Sequence, residues 1–490
     1  MGGSRKPWAK RAARTGSRWL YFIHRWIGVG ACLFFAMWFL SGLVMMYVPY
    51  PTYTQDERLE HLPSIEWAKV QVGPQAALAA AGVTAFPDEL RLEMAGLDPV
   101  WRINAAGKRS TISAVDGTRA GGFAEWRAHQ VAQAYAPGSH LTFIRLLERD
   151  QWTVAGGYNR ARPMYLFDLH DGKGGRLYVS KPLGELVLAT SGRERFWNWL
   201  GSVPHWLYPT VVRQFPEAWR QVVMWFSGVA AISAFTGVWV GILRMRIRNR
   251  RHHPISPYCG WMKWHHWAGL IGGVFVITWI VTGWWSVNPF RWFDTPSPPQ
   301  AGLARYAGQA QAIMPADLAA LAKAAPDARQ VRFYWLQGRP LAAVDGNAKV
   351  LDPATGGPAT LTDAQLFAAA GQIVDAPIAS AVRQTTDDNY WYTHHEKHLL
   401  PVLRVAYNDA QRSWIYLDPT TGEVLDISNA SSRAYRWVFA GVHQLDFRFL
   451  DHHRPAWDLT MWLLLLGGTI TSISGIVIGW RRLKRQVETA

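Results

Sequence analysis

Two pairs of histidines stand at matching positions of a sequence that occurs twice. The stretch HRWIGVGACLFFAMWFLSG, which begins at His24, recurs as HHWAGLIGGVFVITWIVTG from His265, at an offset of 241 residues. A second set of identities, at an offset of 238 residues, aligns His205 with His443. Imidazole nitrogen binds transition metals and haem iron. Histidines that recur at equivalent places in two copies therefore predict shared coordination sites.

The two histidine pairs predict two haem sites. Two neutral imidazoles facing each other from equivalent helices would supply the axial ligands of a six-coordinate b-type haem iron. Gly28 and Gly269 follow His24 and His265 by four residues, on the same helix face, where a porphyrin could approach the backbone closely. Close packing of two helices explains these glycines equally well. The chain has no C-x-x-C-H sequence, which excludes covalent c-type attachment.

Each of these histidine assignments has an alternative. A single histidine near a helix end is ordinarily an interfacial or capping residue, and the duplication is the argument against that role here. His205 precedes its apolar segment, with prolines in between, so it could lie in an outward loop and contact substrate. His266 could replace His265 as the ligand, because the second copy reads His-His where the first reads His-Arg.

A further cluster of histidines has no counterpart in the first copy. His394, His395 and His398 lie in the sequence DDNYWYTHHEKHLLPVLRVAY at 387–407. Closely spaced histidines can bind a metal ion. Docking of a substrate, or an ordinary surface role, is the alternative, and all three interpretations remain open at this point.

Four apolar segments of bilayer-spanning length carry or flank the paired histidines. Lysine and arginine flank these segments, with six in residues 1–19, six in 244–263 and four in 481–485. These sixteen residues equal the formal net charge of +16, so the charge indicates membrane topology rather than nucleic-acid binding. The positive-inside pattern predicts a multi-pass membrane protein with both termini in the cytoplasm.

The large segments between the apolar helices face outward in this interpretation. Strand-like alternation and hairpin turns predict α+β structure in both of them. Each copy crosses the membrane twice, so the copies share one orientation and form two parallel repeats about a pseudo-twofold axis along the membrane normal. The predicted order is a basic leader at 1–19, transmembrane helices at 20–48, 216–243, 261–287 and 455–480, outward domains at 49–215 and 288–454, a cytoplasmic loop at 244–260 and a tail at 481–490.

Several other chemistries have no sequence support. No glycine-rich dinucleotide or phosphate loop follows a strand, and no G-x-S-x-G, H-E-x-x-H or four-cysteine metal site occurs. Cys32 lies in an apolar segment and Cys259 in the cytoplasmic loop, so a disulfide or a catalytic thiol is not expected. If the protein transfers electrons, they must come from a quinol or from a separate donor.

Motifs along nearly the whole chain resemble one known family. These are HRWIG with an apolar run ending in TG or SG, the DPTTGEV turn from Asp418 to Val424, HLLPVLRV, and the closing RPAWD and RRLKR. They resemble the PepSY-associated transmembrane family, which includes inner-membrane ferric-siderophore reductases and iron-uptake proteins of Gram-negative bacteria. The resemblance implies four transmembrane helices, periplasmic PepSY domains and b-type haems ligated by histidines, which match His24, His205, His265 and His443.

The combined expectation is a di-haem transmembrane oxidoreductase. It would pass electrons across an inner membrane to a periplasmic ferric chelate such as a ferric siderophore, with membrane lipid and a quinol or separate electron donor as further partners. The alternative is a non-enzymatic, membrane-anchored PepSY module that binds or inhibits a periplasmic peptidase or sensor. A transporter is less favoured, because the repeats are parallel and no broken-helix pattern is evident in the sequence.

Overall fold

The chain forms two compact units, which we call the helical unit and the mixed unit. The helical unit comprises Met1–Tyr50, Phe196–Asp294 and Ala434–Ala490, and the mixed unit comprises Pro51–Arg195 and Thr295–Arg433. The computed structural model describes residues 7–246, 254–293, 299–308, 313–346, 348–393 and 398–488, with the backbone alone for residues 7–14.

Long helices dominate the helical unit. Apolar residues at helical spacing, with proline at the first turn of α8, favour these elements. A π-helical turn at Trp437–Gly441 follows α14. The helices are α1 Pro7–Met45, α5 Gly192–Leu200, α6 Ser202–His205, α7 Thr210–Arg213, α8 Pro216–Arg244, α9 Gly260–Ile271, α10 Gly273–Ser286, α14 Ala430–Arg436, α15 Arg448–Asp451 and α16 Arg454–Glu488. Of these, α5 and α14 begin in the mixed unit.

Three of the described helices are long and apolar enough to cross a membrane. They are Thr15–Met45 within α1, and the whole of α8 and α16. The continuous helix expected at 261–287 is instead two helices, α9 and α10, with a bend of 65° between them. Glycines occupy the break, and a Cβ on Gly273 would lie 2.5 Å from Cγ2 of Val238. Glycine thus permits the close approach of α10 to α8 and weakens the continuation of the helix.

Aromatic side chains fill the core between the long helices. Phe35 and Phe39 of α1, Trp279 of α10 and Trp457 of α16 are buried in one apolar cluster. The rings of Phe39 and Trp279 lie 5.9 Å apart between centroids. A Cβ on Gly468 would lie 2.5 Å from Cζ of Phe39, so glycine at this position leaves room for the ring. The aromatic layer thus joins α1, α10 and α16, and buried alanines of α8 complete the same cluster.

The mixed unit contains antiparallel sheets with short helices. Its strands are β1 Glu89–Ala95, β2 Asp98–Ala105, β3 Lys108–Ser113, β4 Arg119–Ala120, β5 Thr142–Leu147, β6 Met164–Asp168, β7 Arg176–Ser180, β8 Leu186–Thr190, β9 Gln330–Leu336, β10 Arg339–Val344, β11 Lys349–Leu351, β12 Ile378–Gln384, β13 Val402–Tyr407, β14 Trp414–Leu417 and β15 Val424–Ser428. Its helices are α2 Gln55–His61, α3 Pro74–Ala81, α4 Glu125–Tyr135, α11 Gln300–Ala307, α12 Leu318–Ala324 and α13 Asp363–Ala370, with 3₁₀ turns at Trp67–Lys69 and Gly156–Ala161.

One sheet joins the two outward segments that the sequence placed in separate domains. Its seven strands run in the order β11-β10-β9-β1-β2-β3-β4, so β1 of the first segment pairs with β9 of the second. Arg91 of β1 is paired with Arg332 of β9, and these two positions differ by the repeat offset of 241. Two four-stranded sheets, β5-β6-β7-β8 and β12-β13-β14-β15, complete the unit. The two segments thus form one compact body.

A buried ionic network lies at the centre of this joint sheet. Glu93 is 1% exposed and accepts hydrogen bonds from Arg58 at 2.6 Å, Arg91 at 3.0 Å and Arg102 at 2.9 Å. Gln330 of the second segment also donates to this carboxylate, at 3.2 Å. Burial disfavours the charged form, but the surrounding guanidinium groups outweigh it and hold the pKa of Glu93 below its usual range.

Candidate functional site

His24 and His265 face each other inside the helical unit. His24 lies on α1 and His265 on α9, with ring centroids 6.3 Å apart and ring planes inclined by 35°. The Nδ1 atom of His24 lies 3.3 Å from the carbonyl oxygen of Ser233, and that of His265 lies 2.9 Å from the carbonyl oxygen of Thr471. A carbonyl oxygen only accepts, so each Nδ1 carries the proton and Nε2 is left with its lone pair. We call this arrangement the inner pair.

His205 and His443 form a second facing pair, the outer pair. His205 ends α6 and His443 follows the π-helical turn, and their ring centroids are 6.4 Å apart with planes inclined by 76°. The Nδ1 atom of His205 lies 3.0 Å from the hydroxyl of Ser41 and 3.1 Å from the carbonyl oxygen of Trp38. The Nδ1 atom of His443 lies 3.0 Å from the hydroxyl of Thr282. The hydroxyls of Ser41 and Thr282 each donate a hydrogen bond to a backbone carbonyl oxygen of their own helix. Each hydroxyl oxygen therefore accepts the hydrogen bond from the imidazole.

The hydrogen-bond partners of the histidines follow the same offsets as the histidines themselves. Ser233 and Thr471, which orient the inner pair, differ by 238 positions. Ser41 and Thr282, which orient the outer pair, differ by 241 positions. Both members of each histidine pair are therefore held by equivalent groups of the duplicated sequence. Orientation of the ring by a bond to the second nitrogen is typical of histidines that bind metals.

Glycines lie beside all four rings. A Cβ on Gly237 of α8 would lie 2.7 Å from Cε1 of His24, so glycine is needed there to make room for the ring. A Cβ on Gly475 of α16 would lie 3.3 Å from Cε1 of His265, and closer still to Sγ of Cys32. In the outer pair, a Cβ on Gly42 would lie 3.4 Å from Cε1 of His205, and one on Gly283 would lie 3.4 Å from Cε1 of His443. Gly237 and Gly475 differ by the repeat offset of 238 residues, and Gly42 and Gly283 by that of 241, so equivalent glycines lie beside the rings in both copies.

Gly28 and Gly269 have a different environment from the one expected of porphyrin contacts. The nearest atom to a Cβ on Gly28 would be Oγ of Ser233, at 3.7 Å, and the nearest to one on Gly269 would be Cγ2 of Thr471, at 3.8 Å. Both glycines thus face the helix that orients the neighbouring histidine, which favours the helix-packing explanation. Gly269 also contributes to the wall of the cavity described next.

A cavity lies beside the inner pair. It contains about 880 Å³ of space free of protein atoms, part of which is open to the surroundings. His24 and His265 both line it, and most of the remaining wall is apolar, as in cofactor pockets. Arg244, Tyr258 and Met262 line one end of the cavity. This end lies near the helix termini that are rich in basic residues.

Both histidine pairs have the separation that one bound metal atom requires. A metal–imidazole nitrogen bond is about 2.0 Å, and the ring centre lies about 1.2 Å beyond that nitrogen, so two axial imidazoles are about 6.4 Å apart between centroids. The observed distances are 6.3 Å and 6.4 Å. With Nε2 unprotonated and Nδ1 anchored, the residues present fit a six-coordinate haem at each pair. The described residues contain no group of three or more metal-binding side chains.

His266 has a structural environment. It is buried, its Nδ1 atom lies 2.8 Å from the hydroxyl of Ser256, and its Nε2 atom lies 2.9 Å from the carbonyl oxygen of Gly241. Both ring nitrogens are thus engaged, which leaves neither for a metal. The geometry therefore favours His265 over His266 as the ligand on α9.

Two histidines of the cluster in the mixed unit, His394 and His395, lie outside the described residues. The ring of His398 contacts that of Trp391 at 4.6 Å between centroids, and the latter stacks on Tyr416 at 4.5 Å. His398 therefore packs on an aromatic pair in the described structure, which supports a packing role for this member of the cluster.

The apolar helices and the sheet-containing unit define a multi-pass membrane protein with extramembrane β-sheet regions. Comparison with family models identifies the chain as a member of the PepSY-associated TM region family, with a match over residues 21–351, about two thirds of the chain. This range includes the inner histidine pair and His205 of the outer pair. No curated protein matches the chain significantly.

Proposed function

We propose that the protein is a di-haem transmembrane reductase of the bacterial inner membrane. In this proposal α9 and α10 together form one bent span, so the chain crosses the membrane four times as two parallel repeats. The single observation that carries the proposal is the recurrence, in two places, of facing imidazoles at the separation of axial ligands. Bound haem b would supply the one-electron chemistry through its Fe(III)/Fe(II) couple.

The positions of the two pairs support electron transfer across the membrane. His24 and Ser41 are both on α1, and the latter contacts His205 of the outer pair. The 17 residues between them correspond to about 25 Å along the helix. This span approaches the thickness of a bilayer core, which is about 30 Å. The two pairs thus belong near opposite faces, where an electron donor and an electron acceptor would be separated.

The roles of the protein groups follow from their contacts. The four histidines would hold the iron, and Ser233, Thr471, Ser41 and Thr282 fix the ring orientations. The apolar helix core around Phe39 and Trp279 keeps water away from the space between the sites.

We infer that the electron acceptor is a periplasmic ferric chelate, of the siderophore type, that contacts the mixed unit. Each Fe(III) takes up one electron, which originates from a quinol or from a separate donor. The hard oxygen ligands of such a chelator hold Fe(II) less tightly than Fe(III), so the reduction releases the iron.

The test is the haem content of the purified protein and of two variants. In detergent, after expression with ample haem, we expect two haems b per chain and a spectrum that sharpens on reduction with dithionite. His24→Ala should lose one haem and His205→Ala the other, so each variant is the control for the other site. The reduced protein should then be reoxidised faster by ferric chelates than by the same chelators loaded with gallium.

Two results would contradict the proposal in different ways. Full haem content in both variants would show that the histidines are not the ligands. A colourless wild-type protein would favour the non-enzymatic alternative, in which the helices anchor a module that binds a periplasmic peptidase or sensor.

A further inference from the structure

Four residues of α8 form a stripe along the cavity beside the inner pair. They are Ser233, Gly237, Gly241 and Arg244, and all of them line the cavity. Their spacings of four, four and three residues place them within a narrow sector of the helix. The carbonyl oxygen of Ser233 accepts a hydrogen bond from His24, and Gly237 leaves room for the His24 ring because it has no side chain. The stripe thus leads from the histidine to an arginine at the end of the helix.

The same pattern of residues occurs on α16. Thr471, Gly475, Gly479 and Arg482 follow the first set at the constant offset of 238 residues. The carbonyl oxygen of Thr471 accepts a hydrogen bond from His265, and Thr471 also lines the cavity. A Cβ on Gly475 would lie 3.3 Å from Cε1 of His265, and closer still to Sγ of Cys32. An arginine therefore ends the stripe in both copies. Basic residues are common at this membrane face, but a shared position on the histidine-facing stripe distinguishes these two from their neighbours.

The two arginines lie at a suitable distance from the inner pair. Seven residues separate Gly237 from Arg244, which corresponds to about 10 Å along the helix axis. That length is comparable to the distance from the centre of a porphyrin to the carboxylates at its edge. The guanidinium carbon of Arg244 lies 4.5 Å from the ring centre of Tyr21, one turn before His24 on α1. Among the described residues, neither Arg244 nor Arg482 has a carboxylate partner.

We propose that Arg244 and Arg482 each bind one of the two propionate carboxylates of a haem held between His24 and His265. The assignment rests on the proposed function. The pseudo-twofold axis that relates the two copies exchanges the two histidines, which would bind opposite faces of the porphyrin. If this axis also passes through the edge of the porphyrin that carries the propionates, it exchanges the two propionates as well. The same axis relates Arg244 to Arg482. The guanidinium fork suits a carboxylate, and this orientation keeps both carboxylates out of the apolar core.

The experiment compares haem with a form of haem that lacks carboxylate charge. Protein produced without haem is loaded with haem b or with its dimethyl ester, and loss of haem to excess apomyoglobin is followed by absorbance. The variant is Arg244→Ala/Arg482→Ala. The control, Arg246→Ala/Arg481→Ala, removes the same charge from positions outside the stripe, since Arg246 follows the end of α8 and Arg481 lies on another face of α16.

We expect half of the bound haem, that of the inner pair, to dissociate faster from the stripe variant. About tenfold for each arginine is reasonable for charge-assisted bonds at a partly solvated edge. The other half, at the outer pair, should dissociate at the wild-type rate and so report that the variant is folded. The control variant should match the wild type, and the dimethyl ester should abolish the difference between all three proteins.

Three results would overturn the assignment. Equal acceleration in both variants would indicate a general effect of the basic surface, and an unchanged rate in the stripe variant would exclude the arginines. If the stripe variant lost the dimethyl ester faster than the wild type, by the same factor as it loses haem, the arginines would serve another group, such as a lipid headgroup. Absence of haem from the wild-type protein would instead refute the proposed function itself, so the two failures are distinguishable.

Discussion

The substitution Gly237→Ala tests whether the space beside His24 is needed for the inner site. The new methyl group would lie 2.7 Å from Cε1 of His24, whereas ordinary carbon contacts begin near 3.4 Å. The ring or the helix must therefore move by about 0.7 Å, at a cost of about 1–3 kcal/mol for an overpacked core. The hydrogen bond from His24 to Ser233 is already 3.3 Å long, so a shift of this size weakens it.

The expected result is a selective loss at one of two sites. A cost of about 1–3 kcal/mol lowers affinity for the ligand by about 5- to 150-fold. We expect haem affinity at the inner pair to fall within that range, while the outer pair keeps its haem. Titration of the apo-protein with haem, followed by absorbance at the Soret band, measures both sites in one experiment.

A glycine on the same helix provides the matched control. A Cβ on Gly228 would lie 3.5 Å from the nearest atom, Nε1 of Trp284, which is an ordinary contact. Gly228→Ala should therefore leave both haem affinities unchanged, and replacement of a helical glycine should stabilise α8 slightly. If Gly237→Ala bound two haems with wild-type affinity, the arrangement of α8 against His24 described above would be refuted.

Two further predictions concern residues to which we assign no haem contact. His266→Ala should retain both haems but lower the melting temperature of the full chain in detergent, because the bonds to Ser256 and Gly241 are lost. A drop in haem content would contradict the structural role. Glu93→Gln should destabilise the protein by about 3–5 kcal/mol, since it leaves buried guanidinium groups uncompensated. Because the pKa of Glu93 is depressed in the folded state from its ordinary 4.5, its contribution is present above that value and is lost as pH falls. The variant should therefore show a weaker acid dependence of its melting temperature than the wild type, and an unchanged dependence would count against the network.

The sequence supported the pairing of the histidines because the evidence was a repeat within the chain itself. His24 and His265, and likewise His205 and His443, were expected to face each other, and the structure brings both pairs together. Their function as haem ligands remains a prediction. Family membership was also predicted from motifs, and the family match confirms it.

The groups that orient the rings could not be predicted from the sequence. The acceptors at Ser233, Thr471 and Trp38 are backbone carbonyl groups, which every residue has and which no residue type reveals. The hydroxyls of Ser41 and Thr282 belong to types that are common in membrane helices for packing reasons. Only the folded geometry distinguishes them from their neighbours.

Long-range pairing also lay beyond the sequence patterns. Alternation of apolar and polar residues predicts that β1 and β9 are strands, but it does not predict that they pair with each other. The outward segments were therefore assigned to two domains, whereas they share one sheet. The bend between α9 and α10 was missed for a related reason, because the apolar composition continues through Gly272 and Gly273.

Electron paramagnetic resonance of the oxidised protein tests the central claim most directly. The imidazole planes are inclined by 35° in the inner pair and by 76° in the outer pair. Low-spin ferric haem with two imidazoles gives a rhombic signal when the planes are nearly parallel and a strongly anisotropic one when they are nearly perpendicular. We expect both signals from the wild-type protein, with the rhombic one absent from His24→Ala and the anisotropic one absent from His205→Ala. A spectrum with only high-spin haem, or with no haem signal, would contradict it.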